Sequence, residues 1–402
     1  MKVLVINAGS SSLKYQLFDT ISSSVIAKGN CERIGIVGSR IIHKTSGREE
    51  YIREAPLSNH SEAMKLVVDT LVDASVGCIK SVDEIEAIGH RVVHGGSYFT
   101  SSVLATDEVV SVLEKCTAYA PLHTPAHIMG IKACKDAMPN TPEVLVFDTA
   151  FHQTMPREAY MYGISYDMYE DYQIRRYGAH GTSHRYVSGE MIKLMGGNPD
   201  GTRIVTCHIG NGSSISAVKD GKCVDTSMGF TPLDGIMMGT RCGAIDPAIV
   251  PFIMDKKGYT PAEMDNYMNK QCGFLGIGGV GSDSRDVEAA MRAGNDRAKL
   301  AFDMLCYQIK KYIGSYSAAM GGIDAIVFTA GIGEHTPYIR ANALSGLEYL
   351  GVKLDEQRNT FGHSNVPVKL SSEDSKVLVY MIPTNEELVI ARDTEEIVRS
   401  LA

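Results

Sequence analysis

The stretch VINAGSSSLK, residues 5–14, joins two apolar runs through a turn of asparagine, glycine and serine. The run before the turn is rich in β-branched residues, and the run after it alternates as Leu13, Tyr15 and Leu17, so the segment predicts a β-hairpin. Glycine lets a ligand approach the backbone closely, and successive N–H groups in such a turn can bind an anion. An ordinary hairpin uses the same residue types. This turn alone therefore favours a plain hairpin.

The same pattern, an apolar run followed by a turn of glycine, asparagine and serine and a second strand, recurs in RIVTCHIGNGSSISAVKDGK at 203–222. Asn7 and Asn211 hold equivalent places, 204 positions apart in a chain of 402 residues. A supersecondary unit that recurs at half-length predicts two domains of similar topology. Strand patterns alternate with helical ones, as in DAIVFTAGIGEH at 324–335 after the apolar helical face of 296–320, which indicates an α/β fold. Two matched turns and a third glycine-rich strand exit favour phosphate binding.

Composition and charge exclude several classes of protein. The net charge is −8 and the pI about 5.9, whereas a nucleic-acid-binding surface needs a basic excess. No apolar run approaches the roughly 18 residues of a membrane span, and we expect no signal peptide. The nine cysteines lie singly, without a C-x-x-C pair, which is typical of reduced thiols in a protein core. We expect a cytoplasmic protein of about two domains that binds neither nucleic acid nor a membrane.

Two further patterns resemble known sites only superficially. GIGGVG at 276–281 satisfies G-x-G-x-x-G, but no convincing strand precedes it, and a lone match is weak evidence for a dinucleotide site. His123 with His127, and His180 with His184, have the i, i+4 spacing of zinc ligands. Their contexts, rich in glycine and proline, predict loops rather than helices, and no third ligand is suggested. A structural histidine is the usual interpretation, although a histidine beside phosphate-binding turns could donate to a transferring phosphoryl group.

Three charged side chains lie near predicted strand exits. Arg91 lies in GHRVVHGG, Arg241 in MGTRCGAIDP, and Asp148 follows the apolar run EVLVF. A guanidinium among glycines suits bidentate anion binding, and a carboxylate at a strand exit is a candidate metal ligand or base. From residue types alone, each of the three could equally be an ordinary surface side chain.

Taken together, several motifs resemble the acetate and butyrate kinase family of the actin, sugar-kinase and Hsp70 superfamily. The matching stretches occur in the family's order and span the chain: NAGSSSLK, IGHRVVHGG, HGTSH, HIGNGSS, MGTR and GIGE. The resemblance implies an α/β fold of two actin-like (ribonuclease H-like) domains of duplicated topology around a central cleft. The first would span 1–147 with 384–402 packed back as a C-terminal helix, and the second, nucleotide-binding domain 148–383. It also implies direct, in-line and reversible phosphoryl transfer between ATP and acetate, giving acetyl phosphate and ADP, in a homodimer.

The same resemblance assigns roles to the residues that match the motifs. Magnesium, replaceable by manganese, would be associated with Asn7 and Glu386, with Glu387 as the fallback. The phosphoryl-transfer residues would be Arg91, His123, Asp148, His180 and Arg241. Arg91 would also bind the carboxylate, and the residues against the substrate's methyl group would be Val93, Leu122 and Pro232. The phosphates and nucleotide would be bound by Ser10, Ser12, Lys14, His208, Ile209, Gly210, Asn211, Gly212, Asp283, Ser284, Arg285, Gly331, Ile332, Gly333, Glu334 and His335.

Some positions depart from the family's pattern. Position 179 is alanine where phenylalanine is typical, which predicts a larger acyl pocket that also accepts propionate, with a graded preference. His335 stands where asparagine is usual, and Cys242 and Ala244 replace serine and aspartate. The alternative function is an actin-like module that hydrolyses ATP to drive partner binding. Such a module has no need of two arginines to bind a small carboxylate.

Overall fold

The computed structural model describes residues 1–121, 123–360 and 364–401. Residue contacts divide the chain into two units, Met1–Phe151 with Asn385–Ala402, and His152–Thr384. The domain boundaries expected at 147/148 and 383/384 stay a prediction, as does the cleft. Within the described ranges, no helix is long and apolar enough to cross a membrane.

The strands belong to two sheets, one in each unit. In chain order they are β1 (Lys2–Gly9), β2 (Ser12–Asp19), β3 (Ser24–Glu32), β4 (Arg40–Thr45), β5 (Tyr51–Glu54), β6 (Ala87–Val92), β7 (Val103–Leu104), β8 (Glu143–Phe147), β9 (Arg203–Ile209), β10 (Ser213–Lys219), β11 (Lys222–Thr226), β12 (Ala325–Thr329), β13 (Val368–Lys369) and β14 (Leu378–Met381).

The helices connect and cover these strands. In chain order they are α1 (His60–Val72), α2 (Asp107–Lys115), α3 (Thr124–Ala137), α4 (Arg157–Tyr160), α5 (Asp167–Tyr172), α6 (Gly181–Leu194), α7 (Ile249–Lys257), α8 (Pro261–Lys270), α9 (Gly273–Gly278), α10 (Ser284–Arg292), α11 (Asp296–Met320), α12 (Ala330–His335), α13 (Pro337–Leu344) and α14 (Glu386–Arg399). Short 3₁₀ turns occupy Val82–Glu84, Cys116–Ala118, Ala150–Thr154, Glu348–Leu350 and Arg358–Thr360.

Both sheets repeat one strand order. In the first unit the order is β5-β4-β3-β2-β1-β6-β8-β7, with β1 antiparallel to β2 and parallel to β6, which is parallel to β8. In the second unit it is β11-β10-β9-β12-β14-β13, with β9 antiparallel to β10 and parallel to β12, which is parallel to β14. The strands β3-β2-β1-β6-β8 therefore correspond to β11-β10-β9-β12-β14. This confirms the predicted α/β fold of duplicated topology.

Each sheet opens with one of the two predicted hairpins. Gly9 pairs with Ser12, which leaves two serines to make the turn, and a Cβ on Gly9 would lie 2.9 Å from Ser12 Oγ. In the second hairpin Ile209 pairs with Ser213, so the turn is Gly-Asn-Gly, 210–212. Both predicted hairpins are confirmed, and each turn follows the first strand of its sheet.

The first sheet is covered on both faces. Leu4 and Ile6 of β1 belong to a buried cluster with residues of α1 and α3, while α14 packs on β1, β6 and β8. The side chain of Asn385 caps α14 by accepting a hydrogen bond from Leu388 N at 3.1 Å. This cap places Glu386 and Glu387 in the first helical turn.

The cysteines are all free. Six are buried, as expected of core thiols, but Cys78, Cys242 and Cys272 are partly exposed. The prediction of core placement is therefore wrong for these three, because each lies in a loop, outside the packed helices and strands.

Gly89 in β6 provides a test of how α14 packs on the sheet. A Cβ there would lie 2.7 Å from Ile390 Cγ2 and would also clash with Thr394 Oγ1. We expect Gly89→Ala to lower the free energy of unfolding by about 1–3 kcal/mol, because the helix must shift outward. Gly189 in α6 is the control, since a Cβ there meets nothing within 4 Å, and Gly189→Ala should stabilise by about 0.5–1 kcal/mol. Urea unfolding measures both, and equal effects would contradict this packing.

Candidate active site

Arg91, Asp148 and Glu386 form one cluster in the first unit. Arg91 lies on β6, and Asp148 follows the end of β8, the parallel neighbour of β6. The guanidinium donates to both oxygens of Asp148, with Nη2–Oδ2 at 2.8 Å and Nε–Oδ2 at 3.1 Å. Glu386 Oε2 lies 3.5 Å from Arg91 Nη1. The parallel pairing of β6 and β8 thus brings Arg91 and Asp148 together, and the first turn of α14 adds Glu386.

The electrostatics of this cluster leave an excess of negative charge. Burial disfavours the charged form of Arg91, but the carboxylates of Asp148 and Glu386 outweigh it and raise its pKa. Burial raises the pKa of Glu386 to about 7, against the attraction of Arg91 and with added repulsion from Asp148 and Glu387. One guanidinium therefore faces three carboxyl groups, of which Asp148 is 1% exposed.

That excess charge suits a magnesium ion, which takes oxygen ligands and is usually bound through one or two carboxylates together with substrate phosphates. Across the described residues no group of three or more His, Cys, Asp or Glu is arranged to hold a metal. Asn7, Lys14 and Glu387 line a cavity of about 230 Å³, whereas Glu386 contacts Arg91. The residues present fit magnesium, and the two glutamates have different surroundings.

The histidine pairs lie at helix starts, so the prediction of loops around them is wrong. α3 begins directly after His123, and α6 directly after His180. Pro125 is compatible with α3 because the first helical turn does not need its N–H. Gly181 opens α6 after His180, whose backbone is left-handed with φ +58°. Proline and glycine lie in the first turn of these helices, where both are compatible with helical structure.

His127 connects α3 to the predicted acyl-pocket residue Val93. Its Nε2 accepts a hydrogen bond from Val93 N at 3.3 Å, so this nitrogen must be unprotonated. Burial, followed by repulsion from His123, lowers the pKa of His127 to about 4. The two rings lie 6.4 Å apart. Leu122, the other predicted acyl-pocket residue of this unit, lies outside the described residues.

In the second unit, His180 and Arg241 both face the second glycine-rich turn. A Cβ on Gly212 would lie 3.4 Å from His180 Nε2 and 3.7 Å from Arg241 Nη1. Arg241 Nη1 donates to Pro232 O at 3.0 Å, and burial lowers the pKa of this guanidinium. In the part of the chain that the structure describes, no carboxylate forms an ion pair with Arg241. This half-buried cation can therefore accept an anionic ligand beside the turn.

Apolar side chains flank Arg241. Its Nη1 lies 3.5 Å from Met238 Sδ, and Met238 forms a small buried cluster with Ala179 and Met228. A cation with an apolar cluster at its side matches the chemistry of a short-chain carboxylate, which has one charged end and one apolar end. The sequence did not indicate the two methionines, because their positions follow no helical or strand periodicity.

His208, predicted to bind nucleotide, stacks on His180 with ring centroids 4.1 Å apart. His208 Nδ1 shares a hydrogen bond of 2.8 Å with Ser183 Oγ, which lies 2.8 Å from Thr384 Oγ1. His180 Nδ1 in turn lies 2.8 Å from Ser214 Oγ. The two rings are therefore each held at Nδ1 by a buried serine, a detail that the motifs did not reveal.

The third glycine-rich stretch, 331–335, is organised by Glu334. Its Oε1 accepts hydrogen bonds from Ala330 N at 2.8 Å and Thr384 N at 3.3 Å. Arg340, which is fully buried, donates to the carbonyls of Gly333 and Glu334 at 2.8 Å each. These contacts occupy the Glu334 carboxylate in holding Thr384 and the first residue of α12, Ala330. Arg340 is a supporting residue that sequence analysis missed, because a charged residue inside a helical pattern is ordinarily exposed.

Asp283 and Arg285, also predicted to bind nucleotide, interact with each other at the start of α10. Asp283 Oδ1 accepts from Arg285 N at 2.9 Å and caps the helix. Hydrogen bonds from Arg285 lower the pKa of Asp283 to about 2. The Arg285 side chain is 87% exposed, so it is accessible to a ligand from solvent.

The buried neutral state of His127 predicts a pH effect on stability. In the unfolded chain this histidine titrates near pH 6.5, but in the folded protein only near pH 4. The unfolded state binds more protons in this range, so the free energy of unfolding should fall from pH 6.5 toward pH 4, by up to about 1.4 kcal/mol per pH unit from this residue. Urea unfolding across this range should show a shallower slope for His127→Gln. An unchanged slope would contradict the assignment.

Comparison with known proteins shows similarity along nearly the whole chain. The model of the acetokinase family matches residues 2–392. A protein of Clostridium botulinum (strain Alaska E43 / Type E3) named acetate kinase is 56% identical over 394 residues, covering 98% of this chain and 99% of its own. The crystal structure of Porphyromonas gingivalis acetate kinase is 45% identical with a TM-score of 0.95, covering 99% of both chains. That of a propionate kinase from Francisella tularensis subsp. tularensis SCHU S4 is 41% identical with a TM-score of 0.91, covering 98% of this chain and 99% of that one. The chain belongs to the acetokinase family, whose members are kinases with a carboxylate acceptor.

Proposed function

We propose that this protein transfers the γ-phosphoryl group of ATP to acetate, reversibly, giving acetyl phosphate and ADP. The single observation that carries the proposal is Arg241, a half-buried guanidinium without a carboxylate partner among the described residues, beside His180 and the Gly212 turn. The full-length similarity to relatives named acetate kinase supports acetate as the acceptor. The ATP/ADP pair follows from the family.

The reaction depends mainly on the positioning of the two reactants and on stabilisation of the negative charge on the phosphoryl group. A carboxylate oxygen attacks the γ-phosphorus in line with the departing ADP oxygen, and negative charge spreads over the transferring phosphoryl group. Arg241 and His180 would donate to that charge from fixed positions, which is the larger part of catalysis for this class of reaction. Acetate is already ionised at pH 7, so no residue is needed to remove a proton from it.

The Arg91 cluster would orient the acceptor and the metal. Asp148 holds the guanidinium of Arg91 through Nε and Nη2, so that the edge at Nη1, 3.5 Å from Glu386 Oε2, would bind a carboxylate or phosphoryl oxygen. Asp148 would therefore act by orienting Arg91 and the metal rather than as a base. Asn7 with Glu386, or with Glu387, would hold magnesium, which supplies neutralisation of the phosphate charge when bound.

The remaining predicted contacts complete the substrate sites. The serines and lysine of the first turn would bind phosphate, Val93, Leu122 and Pro232 would contact the acyl group, and His123 would assist near the phosphoryl group. The nucleotide would be bound along the ranges 208–212, 283–285 and 331–335. Magnesium dependence, a homodimer and a cytoplasmic location stay predictions.

The function is tested by trapping the acyl phosphate with hydroxylamine, using ATP, Mg²⁺ and acids of two to four carbons. We expect hydroxamate from acetate and from propionate, with a graded preference, because one methylene changes the barrier by about 1–3 kcal/mol and Ala179 is small where a larger ring is typical of the family. Reactions without ATP are the control. ADP formation without hydroxamate from any acid would contradict the proposal and favour an actin-like ATPase module.

Removal of the Arg241 guanidinium should impair the chemical step. We expect Arg241→Ala to lower kcat by roughly 10²–10³, with folding intact, because a donor to developing charge is lost. Arg292→Ala is the control, since Arg292 lies on the surface in an i, i+4 pair with Glu288 and should leave kcat unchanged. Near-normal turnover of Arg241→Ala in the hydroxamate assay, at saturating substrates, would contradict its role.

A further inference from the structure

His180 lies at one end of a chain of buried hydrogen bonds within the second unit. Its Nδ1 lies 2.8 Å from Ser214 Oγ, which lies 2.7 Å from His184 Nε2. His184 Nδ1 lies 2.7 Å from Thr206 Oγ1, and Thr206 Oγ1 donates to Ser216 O at 3.4 Å. Ser214, His184 and Thr206 are each fully buried. The second histidine of the HGTSH motif, to which the proposed reaction gives no role, thus connects to the first through one hydroxyl.

The carbonyl at the far end favours one direction for these hydrogen bonds. A carbonyl can only accept, so the long contact of 3.4 Å favours Thr206 as donor to Ser216 O, and Thr206 then accepts from His184 Nδ1–H. Burial, followed by repulsion from His152 and His208, lowers the pKa of His184 well below its usual value. A neutral imidazole that donates from Nδ1 can only accept at Nε2.

The role of the Ser214 hydroxyl in this chain follows from the acceptor at His184 Nε2. Ser214 has a single hydroxyl proton, which goes to His184 Nε2, so its oxygen accepts from His180 Nδ1–H. His180 therefore carries a proton on Nδ1 in its neutral form as well as in its cationic form. The nitrogen left to titrate is Nε2, which faces the Gly212 turn and Arg241.

The opposite direction of the chain would be incompatible with a cationic His180. If Ser214 donated to His180 Nδ1, protonation of that ring would place two hydrogens between one oxygen and one nitrogen. The hydroxyl and the His184 tautomer would then both have to reverse inside a buried site. In the direction that Ser216 O favours, His180 can gain and lose a proton at Nε2 without any rearrangement of the hydrogen-bonded chain.

We propose that His184 is a positioning residue which, through Ser214, holds one proton of His180 on Nδ1 and so presents Nε2 to the transferring phosphoryl group. This inference rests on the proposed function in one respect, the role of His180 beside the phosphoryl group. The proton positions themselves are properties of the folded protein without substrate.

The first test reads the tautomers directly. In protein labelled with ¹⁵N-histidine, long-range ¹H–¹⁵N correlation spectra distinguish a protonated ring nitrogen from an unprotonated one, and His180→Gln and His184→Gln assign the signals. We expect His184, and His180 in its neutral form, to be protonated at Nδ1. Protonation of either neutral ring at Nε2 instead would overturn the proposal, whatever the enzyme's activity.

The second test changes the far end of the chain. Thr206→Val keeps the shape of the side chain but removes the acceptor of His184 Nδ1–H. We expect kcat to fall by at least about tenfold, with KM values for ATP and acetate little changed, because His184 adopts the other tautomer and reverses the chain. Thr206→Ser keeps the hydroxyl and should restore both kcat and the tautomers.

The matched control is Ser216→Ala. The Ser216 side chain makes a buried hydrogen bond of 2.8 Å to Thr226 Oγ1, while its carbonyl, which directs the chain, is retained. We expect the tautomers and kcat of Ser216→Ala to be unchanged. That result would show that the effect of Thr206→Val does not come from the mere loss of a buried hydroxyl in this sheet. If Thr206→Val and Ser216→Ala lowered kcat equally, the proposal would be overturned. If the tautomers were as expected but the wild-type protein formed no acyl phosphate, the proposed function would fail and the proton positions would stand.

Discussion

The guanidinium of Arg91 donates three hydrogen bonds to Asp148, a carboxylate that is almost completely withdrawn from water. Neither charge could be buried alone, because an unpaired ion in the interior costs several kcal/mol. Their meeting depends on the parallel pairing of β6 with β8, and the third member, Glu386, depends on the capped start of α14. The strand order, the cap of α14 and the pairing of these charges therefore depend on one another. A change that shifts α14 disturbs the charges as well as the packing.

Arg241 in the second unit shows the opposite case. It has a carbonyl and a thioether as neighbours instead of a carboxylate, so its charge is compensated only when an anion binds. The same surroundings hold His180 by its Nδ1, through Ser214. A folded protein tolerates such an uncompensated cation where function requires it. The first unit thus has carboxylates in excess, and the second has a cation available to a ligand.

The sequence predicted those features that local patterns determine. The alternation of Leu13, Tyr15 and Leu17 set the first hairpin, and its echo at 203–222 indicated the duplicated topology. The helices after His123 and His180 were missed, because proline and glycine were taken as signs of loops although the first turn of a helix accepts both. Ser214 and Arg340 were missed for another reason. Their partners lie across strands or turns, and no local pattern records contacts fixed by register and burial.

The central claim is that a carboxylate oxygen of the acceptor attacks the phosphorus that ATP donates from its γ position. Acetate labelled with oxygen-18 at both positions tests this claim, with phosphorus NMR of the products. Attack on the γ-phosphorus places one labelled oxygen on the phosphorus of acetyl phosphate, as the bridging atom, and leaves ADP unlabelled. Formation of labelled AMP, or of acetyl phosphate without label on phosphorus, would contradict the account.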